Sequence, residues 1–179
     1  MLLVVDNGSV YTKSILDFLR RTDIKFDKLV FDEISSLSNY SSIILSGRRQ
    51  NNLQMNAINA KTIKHALEHH KPLLGICYGA EILALTLGGT IKKMEVARQG
   101  LYKIDVIKEN PICAGKINVF ESHSYMIAKL DSTFKQIAKS SSCEFEIFQL
   151  NNHNIFGTQF HPEMSEDGKT LLGKFISIQ

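Results

Sequence analysis

What this chain of 179 residues lacks closes off several classes of protein. No apolar run approaches the roughly 20 residues that a membrane-spanning helix needs, and no basic region precedes the apolar start Met1–Val5. No membrane segment and no secretory leader are therefore expected, and a cytoplasmic location is. Cysteine is scarce: Cys77, Cys113 and Cys143 form no Cys-x-x-Cys pair and no Cys/His zinc spacing. Cys113 and Cys143 read as free thiols, which suits a reducing compartment. Charge of one sign is scarce too. The formal net charge of +3 comes from scattered residues such as Arg20-Arg21 and Lys92-Lys93, so nothing points to nucleic acid. His65 and His69 are spaced i, i+4 just before His70, but no acidic third ligand accompanies them, so an exposed helix face is expected rather than a metal site. There is no nucleotide-binding glycine loop, no internal repeat and no linker, so one domain over residues 1–179 is expected.

What is present is a β-α-β pattern that changes character halfway. Leu2–Val5, Lys28–Phe31, Ser42–Ser46 and Pro72–Ile76 read as buried strands. Val10–Arg21 and Met55–His70 read as amphipathic helices, with Ile15, Leu16 and Leu19 on the inward face of the first and Ile58, Ile63 and Leu67 on that of the second. From Thr90 to Phe160 shorter β segments follow: Tyr102–Ile107, Ile117–Glu121, Phe134–Ala138, Glu144–Leu150 and Ile155–Phe160. A helix over Ser165–Ile178 closes the pattern. The expected fold class is α/β, an open, mostly parallel sheet with helices on both faces and an antiparallel β excursion. Ligands in such folds bind at the carboxyl ends of the strands.

Two segments carry chemistry. In Lys71-Pro-Leu-Leu-Gly75-Ile-Cys77-Tyr-Gly79-Ala-Glu81 a cysteine stands between a buried strand and a helix running to Gly88-Gly89. A nucleophile there sits on a tight turn, with the helix N-terminus directing partial positive charge at the sulfur. Taken alone, the same cysteine reads equally as a buried structural residue. The second segment is Gly157-Thr-Gln-Phe-His161-Pro-Glu163. A cysteine nucleophile needs a base, for which His is best tuned, and a carboxylate to orient the ring. Pro162 stiffens the placement of His161 relative to Glu163.

On Gly75-Ile-Cys77-Tyr-Gly79 and Gln159-Phe-His161-Pro-Glu163 the chain resembles the class I (triad) glutamine amidotransferases. The resemblance runs nearly its whole length, through Val5-Asp6-Asn7-Gly8, Leu45-Ser46-Gly47 and Leu87-Gly-Gly-Thr90. Within the family, Glu121-Ser-His123, Phe134–Ser140 and Cys143-Glu are similar to the separate glutaminase subunit of archaeal-type GMP synthase. The resemblance implies that Cys77 attacks glutamine, His161 moves the proton and Glu163 holds the ring. It implies oxyanion donors at Tyr78 and in the loop at Gly47-Arg48, and substrate binding by Glu81 and by backbone at His123, Ser124 and Tyr125. No cofactor and no metal are implied. The ammonia would pass to a separate ATP-dependent synthetase subunit.

Two positions depart from the family pattern. Glu81 stands where Gln is usual, and an ionised Glu only accepts hydrogen bonds. Arg48 stands in the Gly-Gly-Pro loop, where it either pairs with Glu81, points to solvent or reshapes the loop. The departures leave open a stand-alone Cys-His-Glu hydrolase or lyase on another substrate, a triad-bearing binding protein, or an anthranilate or aminodeoxychorismate synthase glutaminase.

Overall fold

A computed structural model describes residues 1–178 of the chain. Strand β1 (Leu2–Asn7) starts the sheet, and its successive side chains alternate between the two faces. Leu2 and Val4 enter one buried cluster with helix α1 (Thr12–Leu19), while Leu3 and Val5 enter another on the opposite face. Strands β2 (Phe26–Val30) and β3 (Ser42–Arg48) flank β1 in parallel. Helix α2 (Leu53–Glu68) crosses to β4 (Leu73–Ile76), and α3 (Tyr78–Thr86) follows. The chain then leaves the parallel half through a long antiparallel hairpin, β5 (Thr90–Val106) with β6 (Lys116–Lys129). It returns through β7 (Phe134–Lys139) and β8 (Ile147–Leu150) to β9 (Ile155–Thr158), which pairs in parallel with β4. Helix α4 (Glu166–Ile176) ends the fold, capped by the Ser165 hydroxyl, which accepts from Gly168 N–H at 3.2 Å.

The nine strands form one sheet in the order β2-β1-β3-β4-β9-β8-β7-β5-β6. Helices α1 and α4 cover one face through Ile15, Leu19, Leu171, Leu172 and Phe175. Helices α2 and α3 cover the other through Met55, Ile63, Ala66 and Leu83. The sheet is parallel through its core, β2-β1-β3-β4-β9, and the antiparallel excursion that the sequence pattern predicts makes up the rest, β8-β7-β5-β6.

The details differ where periodicity misleads. The buried face of α2 is Met55, Asn59, Thr62, Ile63 and Ala66; Ile58 and Leu67 are half-buried. Asn59 is polar yet fully buried because it exchanges hydrogen bonds with the Asn7 side chain, at 2.7 and 3.3 Å. That pair ties α2 to the end of β1 and satisfies polar groups that would otherwise be stranded. The hairpin is much longer than Tyr102–Ile107 and Ile117–Glu121. Both faces of Lys92–Gln99 are largely exposed, and the stretch is held by cross-strand pairing at its two ends, Lys92-Lys93 and Arg98-Gln99, with a register shift between them. Glu144–Glu146 precedes β8 rather than joining it. No helix among the described residues is long and apolar enough to cross a membrane.

Candidate active site

The nucleophile position is built by close backbone contact. A Cβ on Gly75 would come within 2.4 Å of the Gly79 carbonyl oxygen, and one on Gly79 within 2.4 Å of the Leu45 carbonyl oxygen. Only glycine lets β4, α3 and β3 approach so tightly. Cys77 itself takes φ 51° and ψ −103°, a positive-φ conformation unusual for a residue with a Cβ. The turn is held by Cys77 N–H donating to the Thr158 carbonyl at 2.8 Å, and by Ala80 and Glu81 N–H donating to the Cys77 carbonyl at 3.0 and 2.9 Å. Cys77 is the residue that precedes α3, so the helix's first N–H groups, that of Tyr78 first, are left over by its own hydrogen bonding.

Strand β9 is the neighbour of β4, so its end delivers His161 and Glu163 to the same edge. His161 Nδ1 and Glu163 Oε1 are 2.8 Å apart, and both side chains are almost fully buried. His161 N–H also donates to the Phe120 carbonyl of β6 at 2.8 Å, which fixes the strand end. Burial alone would lower the basicity of this imidazole. The Glu163 carboxylate and then Cys77 outweigh it and raise His161 to about 10. Gly47 packs directly behind the ring, since a Cβ there would come within 2.9 Å of His161 Cε1.

A cavity of about 450 Å³ opens onto Cys77, and Arg48, Tyr78, Glu81, Ser122, His123, Ser124 and Tyr125 line it. Every substrate-binding residue expected from the resemblance is therefore brought to the nucleophile. His123 contributes backbone, because its ring is turned inward. There Nδ1 donates to the Tyr125 carbonyl at 2.8 Å, and Nε2 lies 3.2 Å from Glu121 Oε2. The same Glu121 oxygen is 2.5 Å from Arg98 Nε. Behind this group Glu146 is fully buried, and burial, with the Glu121 carboxylate second, pushes it up to about 7.

Burial raises Glu81, with Arg48, Gln159 and His123 acting against it; Gln159 Nε2 is 3.5 Å from Glu81 Oε1. Arg48 neither pairs with Glu81 nor hangs free in solvent. Its guanidinium lies 4.2 Å from the centre of the Tyr78 ring, and its Nη1 donates to Asn51 Oδ1 and, at 3.3 Å, to Asn56 Oδ1. Burial pushes the Tyr78 phenol up to about 12, so it stays neutral under that cation and donates to Asn56 at 2.8 Å. The loop is extended as well: β3 simply continues through Gly47 to Arg48, without a positive φ.

Several contributors have no motif of their own. Tyr11 packs its ring 4.6 Å from that of His161, and its hydroxyl donates to Ser122 Oγ at 3.3 Å. Asn51 and Asn56 hold Arg48, and Arg98 holds Glu121. Gln159 and Glu121 stand inside the sequence signatures, which was the one signal available for any of them.

An elbow cysteine and a buried His–Glu pair, carried by adjacent parallel strands, make up the candidate triad. The sequence model of the class I glutamine amidotransferase family matches residues 3–177, and the chain belongs to that family. Among curated relatives, a subunit of glutamine-hydrolyzing GMP synthase from Pyrococcus furiosus is 34% identical, covering 99% of this chain and 98% of its own. The corresponding subunit of Methanocaldococcus jannaschii is 31% identical, over 99% and 97%. The crystal structure of a Thermoplasma acidophilum protein assigned to the same GMP synthase subunit superposes with a TM-score of 0.89 at 30% identity, covering 99% of this chain and 92% of that one.

Proposed function

We propose that this chain is the glutaminase subunit of a two-subunit GMP synthase. It hydrolyses glutamine to glutamate and passes the ammonia to a separate, ATP-using synthetase subunit. The observation that carries the reading is Cys77 at the wall of the cavity, close enough to the buried His161–Glu163 pair to raise the basicity of His161. Similarity over the full length of GMP synthase subunits from two archaea supports the choice of branch.

In this reading Cys77 Sγ adds to the side-chain amide carbon of glutamine, and the thiol proton passes to His161. The negative charge that develops on the amide oxygen is met by the Tyr78 N–H and by the loop at Gly47-Arg48. His161 then protonates the departing nitrogen, so ammonia leaves and a γ-glutamyl thioester remains. Water, deprotonated by the same imidazole, cleaves the thioester to glutamate and restores the thiol. Glu163 keeps Nδ1 occupied throughout, so only the opposite ring nitrogen handles protons.

The test is intact mass spectrometry after exposure to 6-diazo-5-oxo-norleucine, a reactive glutamine mimic, with and without the candidate synthetase subunit. An adduct on Cys77, blocked by glutamine and absent in Cys77→Ala, is expected. Ammonia release from glutamine should vanish in the same variant. Equal ammonia release by Cys77→Ala overturns the mechanism. A Cys77 that reacts with a small alkylator but never with the glutamine mimic overturns the substrate.

A further inference from the structure

The charge arrangement of the cavity is unusual. Glu81 sits in its wall, 5% exposed. Arg48 sits in the same wall, and no carboxylate among the described residues lies within ion-pairing distance of it. A guanidinium presents five N–H donors in a planar fork. At Arg48 only Nη1 meets acceptors, those of Asn51 and Asn56, and the stacked Tyr78 ring covers one face. The edge formed by Nε and Nη2 makes no hydrogen bond of good geometry among the described residues. Such an edge matches the two oxygens of a carboxylate, and its orientation is already fixed by the asparagines and the ring.

Resting on the glutaminase reading above, we infer that Arg48 is a specificity-determining residue whose Nε/Nη2 edge binds the α-carboxylate of the substrate. Glutamine carries this carboxylate and an ammonium on one carbon, joined by a two-methylene arm to the amide that Cys77 attacks. A cavity with a buried carboxylate at Glu81 and a fixed guanidinium at Arg48 complements that zwitterionic head. It selects a free α-amino acid with an amide side chain, and rejects amides that lack the carboxylate. Arg49 also reaches the cavity rim, but it is exposed and makes no hydrogen bond among the described residues, so it is not pre-positioned for this task.

The experiment compares ammonia release from L-glutamine and from L-glutaminol, in which the carboxylate is reduced to an alcohol, with the candidate synthetase subunit present. Wild type, Arg48→Gln, Arg48→Lys and Arg49→Gln are measured. Wild type is expected to prefer glutamine strongly. In Arg48→Gln, KM for glutamine should rise about 10- to 100-fold, as for loss of a charge-assisted pair, while the values for glutaminol change little. The preference for glutamine should therefore collapse. Arg48→Lys should fall between, because a lysine keeps the charge but loses the fork, and Arg49→Gln should retain the wild-type preference. A parallel loss on both substrates in Arg48→Gln would mean a structural or oxyanion role and overturns the inference alone, as would a collapse of preference in Arg49→Gln. A wild-type enzyme that releases no ammonia from glutamine overturns the inference together with the glutaminase reading.

Discussion

The molecule contains two histidine–glutamate pairs of nearly the same local design, and they end in opposite roles. His161 and Glu163 are separated by a single residue and buried, with nitrogen and oxygen 2.8 Å from each other. Glu121 and His123 are also separated by a single residue, also buried, at 3.2 Å. What distinguishes them is the second ring nitrogen. In His161 the nitrogen opposite Glu163 is left for the thiol, close enough for Cys77 to raise its basicity. In His123 the second nitrogen is spent on the Tyr125 carbonyl at 2.8 Å. With both ring nitrogens engaged by its own neighbours, His123 presents none to the cavity, and it shapes strand β6 there instead. The pair alone does not make a catalytic base; the vacancy on its far side does.

Substitution offers a direct way to break that comparison. His161→Ala should lower kcat by about 10²- to 10⁴-fold, the usual worth of a positioned acid–base group, with the glutamine mimic still docking in the cavity. His123→Ala should act mainly on KM, because the cavity-lining backbone loses its internal support. An equal fall in kcat for both variants would erase the distinction. Glu121→Gln comes next in size. It breaks a buried group in which one carboxylate oxygen is within 4 Å of both Arg98 and His123, and urea unfolding should report a loss of about 3 kcal/mol. Stability unchanged in that variant would show that the second pair is ornamental.

A pH measurement sharpens the contrast further. Glu146 stands beside Glu121 and is raised from 4.5 to about 7 in the folded chain. A carboxyl group raised on folding stabilises fully below its unfolded pKa, and the contribution is lost as pH rises through the folded value. Wild type should therefore lose up to about 2 kcal/mol between pH 5 and pH 6.5. Glu146→Gln should flatten the slope in that window, while the response of His161 begins only above it. The smallest expected effect is at the cap of α4. Ser165→Ala should cost about 1 kcal/mol, seen as a modest shift in the unfolding midpoint, because the helix that follows the catalytic pair loses one N-terminal hydrogen bond.

The sequence revealed the first pair far better than the second, for a physical reason. Cys77 and His161 each stand in a run whose neighbours, Gly75, Gly79 and Pro162, are dictated by backbone geometry, so the chemistry leaves a local mark. The inner parallel strands were legible for a similar reason, since a strand buried on both faces is a continuous apolar run, as at Leu2–Val5; the edge strand β2 was not, being half-buried and running over Phe26–Val30 where a buried strand over Lys28–Phe31 was expected. The exposed hairpin was not, because Lys92–Gln99 is exposed and joins β6 only at its two ends, across a register shift. Arg48 was visible as a departure, but its stacking on Tyr78 depends on Asn51 and Asn56 arriving from the start of α2 and the loop before it. Tyr11 was invisible, since only the folded sheet brings the start of α1 over His161.

The strand order also sets a schedule. Cys77 lies at the end of β4, and the strand that carries its base, β9, is the last to enter the sheet although it is β4's immediate neighbour. Between the two, the chain must build α3, the long hairpin, β7 and β8. Bringing together contacts so distant along the chain carries a loop-closure cost that slows folding. During synthesis the thiol therefore emerges well before its imidazole, and even the Thr158 carbonyl that pins its turn is not yet available. A chain emerging from the ribosome thus presents Cys77 before the imidazole that is to serve it has been made.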